Sequence, residues 1–144
     1  MANHYGTKYH NENVDGTVRD VTALRGLADT GMRQSGSWGD YNRDGRLDLY
    51  IGNMFSSAGS RITTQPGFQQ NASPQQRAVY QRMAKGNTLF EQLADTSFQD
   101  VSAQAAVQMG RWAWSSVFAD LNNDGWEDLL VGYGYITTED AGDL

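Results

Sequence analysis

The chain has 144 residues, a formal charge of −6 and no cysteine. That length holds one ordinary domain, the acidic balance argues against nucleic acid and against a polybasic membrane attachment, and the missing thiols exclude disulfides, zinc–thiolate and iron–sulfur centres and cysteine nucleophiles. Hydrophobic residues at 39% suffice for a core, and sixteen glycines against two prolines read as a turn-rich β protein.

No run approaches the ~20 apolar residues of a membrane-spanning helix, so no membrane insertion is expected. Met1–His10 is polar and has no secretory h-region. The chain is therefore not exported, or its leader has been removed, or it is a piece of a longer chain.

In chain order, Asn11–Gly16 comes first. It begins like an acidic metal loop, but the closing position is Arg19, so it reads as a hairpin turn. The tetramer Asp20-Val21-Thr22-Ala23 follows. A strand ending at Trp38-Gly39 then runs into an acidic loop, and an apolar strand leaves that loop and stops at Gly52. Phe55–Asn71 is rich in Ser, Gly, Thr and Gln and reads as a loop. Ser73-Pro74 supplies an N-cap and an N1 proline, and Gln75–Lys85 has no breaker before Gly86. One helix of about three turns is predicted here. Val79 with Met83, and Tyr80 with Ala84, are spaced to line one face that packs over the sheet.

The pattern then repeats. Displaced by 80 residues, Asp15–Asn53 falls on Asp95–Tyr133 without a gap. The identities concentrate in the acidic loop and in the tetramer, which recurs as Asp100-Val101-Ser102-Ala103. This concentration marks a duplication. The chain is therefore divided into one domain, 1–144, with repeat one at 5–53, a loop-and-helix insertion at 54–86, and repeat two at 87–136. The fold class predicted is all-β, built of propeller-type β-hairpin repeats, about two units, with one inserted helix.

The acidic loops are Asp40–Asp48 and Asp120–Asp128, both of the form D-x-N-x-D-G-x-x-D. Oxygen-bearing side chains at positions 1, 3 and 5 can converge inside a tight loop, glycine at 6 allows the turn, the carbonyl at 7 can face inward, and the acid at 9 closes the far side. The candidate ligands are Asp40, Asn42, Asp44, the Arg46 carbonyl and Asp48. The second set is Asp120, Asn122, Asp124, the Trp126 carbonyl and Asp128. Hard oxygen donors of this number suit Ca²⁺, giving two expected sites; softer metals would want His or Cys. Three crowded carboxylates repel one another unless a cation joins them. The loops are not EF-hands, because position 12 is Ile51 or Val131 rather than Glu. Loop one also carries Arg43 and Arg46, whereas loop two carries Glu127 and no base, so tighter binding is predicted at loop two.

Elsewhere, His4 and His10 read as surface residues. Trp112 and Trp114 flank Ala113 on one strand face, as packing residues first and a glycan-stacking platform second. Asn71-Ala72-Ser73 matches a glycosylation sequon but precedes Pro74. No nucleophile–base constellation or phosphate-binding glycine loop appears.

Around the nonamers the sequence resembles the FG-GAP/VCBS repeats of integrin α-subunit propellers and bacterial exported proteins. Gly39–Gly52, Phe118–Gly132 and Asn87–Ser102 carry the match, and the same layout returns around Tyr9–Thr22. The resemblance implies β-propeller blades holding structural Ca²⁺ in hairpin loops, on the same ten residues. A propeller typically needs about 4–8 blades, and two units leave sheet edges exposed to pairing. The function expected is therefore a non-enzymatic, extracellular or cell-surface calcium-binding structural protein. It would self-associate through those edges into a homo-oligomer or filament. The alternatives are an adhesion or glycan-binding module with a glycan or protein ligand, or a scaffold piece of a larger exported protein.

Overall fold

The computed structural model describes residues 9–109 and 112–134. His4 and the C-terminal part of repeat two beyond residue 134 lie outside them. The strands are β1 (Asn11–Val14), β2 (Thr17–Asp20), β3 (Arg33–Gly39), β4 (Asp48–Asn53), β5 (Thr88–Gln92), β6 (Phe98–Asp100), β7 (Ala113–Ala119) and β8 (Asp128–Tyr133). The helices are α1 (Thr22–Arg25), α2 (Ser57–Thr63) and α3 (Pro74–Ala84). The described residues are thus mostly antiparallel β-structure with short helices, as the sequence predicts.

The sheets are out of phase with the sequence repeat. β3-β4-β5-β6 form one four-stranded meander, while β1-β2 and β7-β8 are separate pairs. The complete sheet takes its first two strands from repeat one and its last two from repeat two. It is one whole blade, flanked by the outer half of a preceding blade (β1-β2) and the inner half of a following one (β7-β8). The duplicated hairpins agree in detail. Ser35 faces Gly52 and Ser115 faces Gly132, and each hairpin has an irregularity just before that pair.

The Asp-Val-Thr/Ser-Ala tetramer is a local device. Asp20 Oδ1 accepts from the Thr22 amide at 3.0 Å, and Asp100 Oδ1 accepts from the Ser102 amide at 3.0 Å. The Thr22 and Ser102 hydroxyls then receive the His10 and Leu89 amides, at 2.7 and 2.9 Å. Val21 and Val101 likewise donate to the carbonyls of His10 and Leu89, each at 2.9 Å. His10 therefore corresponds to Leu89. The displacement is one residue short of the one that relates the rest of the repeats. The cause is the turn: β1-β2 close on the two-residue Asp15-Gly16 turn, with φ of 51° and 81°, and the β5-β6 loop is one residue longer.

Two clusters form the core. Leu27, Leu49, Ile51, Phe90 and Phe98 lie on the face of the blade toward β1-β2. Tyr50, Leu89, Val101 and Phe118 lie at the boundary with β7-β8, where Leu129 and Val131 pack against them. Alternation along β4 sends its residues to the two faces in turn, which is why all six are buried. β7 packs closely against β3: a Cβ on Gly39 would fall inside the Phe118 ring and the Glu127 carboxylate.

The insertion differs from expectation in two respects. Phe55–Asn71 contains α2, started by Ser56, whose side chain accepts from the Gly59 amide at 2.9 Å. Its Ser/Thr/Gly content masked a helix whose Gly59 carbonyl accepts from the Thr63 hydroxyl and whose Ser60 and Arg61 carbonyls accept from the Thr64 hydroxyl. The predicted helix is present as α3, with a Ser73–Gln76 capping box and Gly86 at φ 99° just beyond its last turn. Its expected apolar face is not buried, since only Ala84 is. Tyr80 instead meets Phe68 edge-on, with centroids 5.6 Å apart.

Candidate metal loops

Each acidic loop connects the two strands of an inner hairpin, β3-β4 or β7-β8, and both fold alike. In loop one the Asp44 and Gly45 amides donate to Asp40 Oδ1 and Oδ2, each at 2.9 Å. Asn42 Oδ1 accepts from the Asp44 amide at 3.2 Å, and Asp44 Oδ1 from the Arg46 amide at 2.9 Å. In loop two Asp120 accepts from Asp124 and Gly125 at 3.1 and 2.9 Å, Asn122 from Asp124 at 3.0 Å, and Asp124 from Trp126 at 2.8 Å. Both loops turn through left-handed residues at the same places, Arg43 and Gly45 at φ 59° and 82°, Asn123 and Gly125 at 58° and 84°. A glycine is needed at the second of these because an L side chain there is strained.

The loops differ where they meet the rest of the blade. Asp48 is fully buried. Its Oδ1 accepts from the Gln92 amide of β5 at 2.8 Å, and its Oδ2 is buried near the Tyr41 amide without a well-formed hydrogen bond. Burial, with the charges of Asp44 and Glu91 adding, pushes the Asp48 carboxyl up to about 6. Tyr41 donates to Glu91 at 2.9 Å, and burial followed by that bond pushes its phenol up to about 12. Asp128 is only half-buried and accepts from the Leu121 amide at 3.1 Å. Among the described residues, no three Asp, Glu or His side chains converge into a metal-holding group. The loop carboxylates are gathered on one turn, but they are turned onto backbone amides.

Charge is distributed differently from the sequence reading. Glu127, assigned to loop two, accepts from the Asp40 amide of loop one at 2.7 Å. Arg43, assigned to loop one, lies over the Trp126 ring of loop two, 5.0 Å from its centroid. Only Arg46 stays in its own loop, where it pairs with Asp44 Oδ2 and donates to the Gln92 carbonyl at 2.9 Å. Sequence reasoning missed the Glu127 and Arg43 contacts because it treated each nonamer alone. The signal for them was the repeat itself, which sets equivalent loops of neighbouring blades side by side.

His10 is not a free surface residue. It packs at a tilt against Trp38 and edge-on against Phe98, with centroids 5.7 and 6.4 Å away. Trp112 and Trp114 do lie together, 6.3 Å apart; Trp114 is half exposed and donates to the Gly134 carbonyl at 2.7 Å. Asn11–Gly16 is a hairpin, as expected, with Asn13 Oδ1 accepting from the Gly16 amide at 2.9 Å. Ser73 of the sequon is occupied as the α3 N-cap.

Comparison with known families agrees with this geometry. The FG-GAP-like repeat matches residues 78–131, and the FG-GAP repeat matches residues 32–70. The two matches together cover well over half of the chain, and the chain belongs to the FG-GAP repeat family. Such repeats are β-propeller blades, typical of extracellular or surface proteins and of structural or adhesion modules rather than enzymes. No curated protein and no solved structure matches the chain. Among the described residues, no helix is long and apolar enough to cross a membrane.

Proposed function

We propose that this chain is an extracellular, non-enzymatic structural module in which Ca²⁺ rigidifies two neighbouring hairpin loops and the blade halves assemble with other copies. The observation that carries the calcium reading is Asp48, which is fully buried and leaves one carboxylate oxygen without a well-formed hydrogen bond at the closing position of its loop. An ionised buried carboxylate is costly unless a charge joins it. The surrounding donors are all oxygens on a preformed turn, a set that fits a hard cation at ~2.3–2.6 Å and not a soft one. Asp40, Asn42, Asp44, the Arg46 carbonyl and Asp48 would hold one ion. Asp120, Asn122, Asp124, the Trp126 carbonyl and Asp128 would hold the other.

Calorimetric titration of chelator-treated protein tests this. Two Ca²⁺ equivalents per chain are expected, one lost in Asp44→Asn and the other in Asp124→Asn. A flat titration overturns the reading. Light scattering and electron microscopy at about 2 mM Ca²⁺, within the extracellular range, and again in chelator, test the assembly. Particles that persist unchanged in chelator would remove calcium from it. The half-exposed Trp114 beside Trp112 favours a second reading, glycan adhesion. Glycan-array binding lost in Trp114→Ala would support it.

A further inference from the structure

The two blade boundaries of this chain are built from equivalent residues, but only one is filled. At the boundary between the whole blade and β7-β8, Tyr50 packs with Leu89, Val101 and Phe118, and its ring meets Phe118 edge-on at 6.3 Å. Tyr41 packs against the same cluster and bonds Glu91. At the boundary between β1-β2 and the whole blade, the residues equivalent to Leu89, Glu91, Ala105 and Phe118 are His10, Glu12, Arg25 and Trp38. These four line a cleft of about 510 Å³. Trp38 remains 43% exposed beside it. By these equivalences the cleft corresponds to the place that Tyr41 and Tyr50 fill at the other boundary.

The repeats of Tyr41 and Tyr50 are Leu121 and Leu130, and both are exposed, at 59% and 53%. Among the described residues β8 pairs with β7 alone, whereas its repeat β4 pairs with both β3 and β5. Among the described residues the chain therefore carries an inner blade half whose second edge has no paired strand, with two exposed leucines. It also carries an outer half with the corresponding cleft, where Arg25 pairs with Glu12 at 2.8 Å beside the His10 and Trp38 rings. The two halves pack against different faces of the whole blade. We propose that they meet between copies: β8 of one copy adds to β1 of a second, completing a composite blade β7-β8-β1-β2, with Leu121 and Leu130 seated at the His10–Trp38 cleft. This rests on the self-association in the proposed function and specifies its partner and register.

The register follows from the observed blade. Leu49, Tyr50 and Ile51 face Phe90, Leu89 and Thr88. Transposed, Leu129, Leu130 and Val131 face Asn11, His10 and Tyr9 of the second copy. The amide and carbonyl of His10 already bond Thr22 and Val21 on the β2 side. Leu130 and His10 are therefore a non-hydrogen-bonded pair, whose Cα atoms approach to ~4.5 Å. That spacing is within disulfide reach. The contact is head-to-tail, so it either closes into a ring or propagates.

The absence of cysteine makes the test clean. The mass of the wild-type chain is measured by light scattering over a concentration series in Ca²⁺. His10→Cys and Leu130→Cys are then made separately, mixed and oxidised. His10→Cys with Val117→Cys is the control, because Val117 is also exposed but lies one strand further from the edge. The expected result is mass above a monomer and a covalent heterodimer tenfold more abundant with Leu130→Cys than with Val117→Cys. Leu130→Asp, with unchanged far-UV circular dichroism, is expected to return the chain to a monomer. Oligomers with equal cross-linking in both mixtures would overturn this pairing and leave self-association standing. A monomer at every concentration would overturn both.

Discussion

The backbone amide of Asp40 donates to Glu127 Oε2 at 2.7 Å, joining the first residue of one acidic loop to the eighth of the other. This bond crosses a blade boundary, so it ties the loops together independently of any ion. Replacing Glu127 by Ala leaves an exposed amide that water can satisfy, so the loss is modest, about 1 kcal/mol. For a chain of this size that is ~2–5 °C of melting temperature. Glu127→Gln keeps the acceptor and is expected to lose less than half as much. Melting curves in chelator check both; an equal loss would mean that charge, not the bond, is what matters.

Much of the architecture was legible in the sequence, and the reasons are local. The nonamers announce tight hairpins because Asp, Asn and Gly at those positions bond their own backbone, and the Asp-Val-Thr/Ser-Ala tetramer does the same. The phase of the blades was not legible. Strands β4 and β5 are separated by the 54–86 insertion, and nothing in either strand's own pattern says that they pair. α2 was missed because its caps are supplied by hydroxyls in a composition that otherwise favours loops. Asp48's burial was also hidden. It depends on the Gln92 amide of β5, 44 residues away in sequence.

The Arg46–Asp44 ion pair sets the difference between the loops. The sequence reading assigned that difference to all the charges within each nonamer, but Arg43 and Glu127 reach across to the opposite loop. What remains is one guanidinium on a candidate ligand. A cation at loop one must displace it; at loop two the equivalent residue is Trp126. The side chains are 37% and 22% exposed, so the pair is worth ~0.2–1 kcal/mol. Arg46→Gln is expected to tighten Ca²⁺ at loop one up to about fivefold. Loop two is expected to remain unchanged. Calorimetry on this variant in an Asp124→Asn background isolates loop one, and unchanged affinity would dismiss the competition.

Tyr50 is fully buried, its hydroxyl makes no well-formed hydrogen bond although the Asn87 side chain lies beside it, and burial, opposed by Asn87, raises its phenol above the ordinary value. A buried unpaired hydroxyl costs stability that its removal returns. Tyr50→Phe keeps the ring against Phe118 and is expected to leave the melting temperature equal or higher. Tyr50→Ala removes the ring and is expected to cost ~3–5 kcal/mol. A Phe variant that melts well below wild type would show that the hydroxyl is satisfied in solution.

Asp48 gives the fold a pH dependence opposite to that of an ordinary paired carboxylate. Its carboxyl titrates at about 6 in the folded chain, against ~3.9 when unfolded. The folded state therefore binds the proton more tightly. The stability from this group is fully present below pH ~4 and is lost as pH rises through about 6. The shift corresponds to a few kcal/mol at most. Asp20 and Asp95, lowered chiefly by bonds from the Thr22 and Ser97 side chains, pull the other way. The total curve therefore mixes the two signs, and a difference measurement separates them. In chelator, Asp48→Asn is expected to be more stable than wild type at pH 7.5 and to lose that advantage at pH 4. With Ca²⁺ in excess at pH 7.5 the order reverses, because the cation joins the wild-type carboxylate and cannot do so for the amide. Melting curves in these three conditions test the assignment, and an Asn variant that stays less stable in chelator at pH 7.5 would show that the Asp48 carboxylate is already satisfied without a metal.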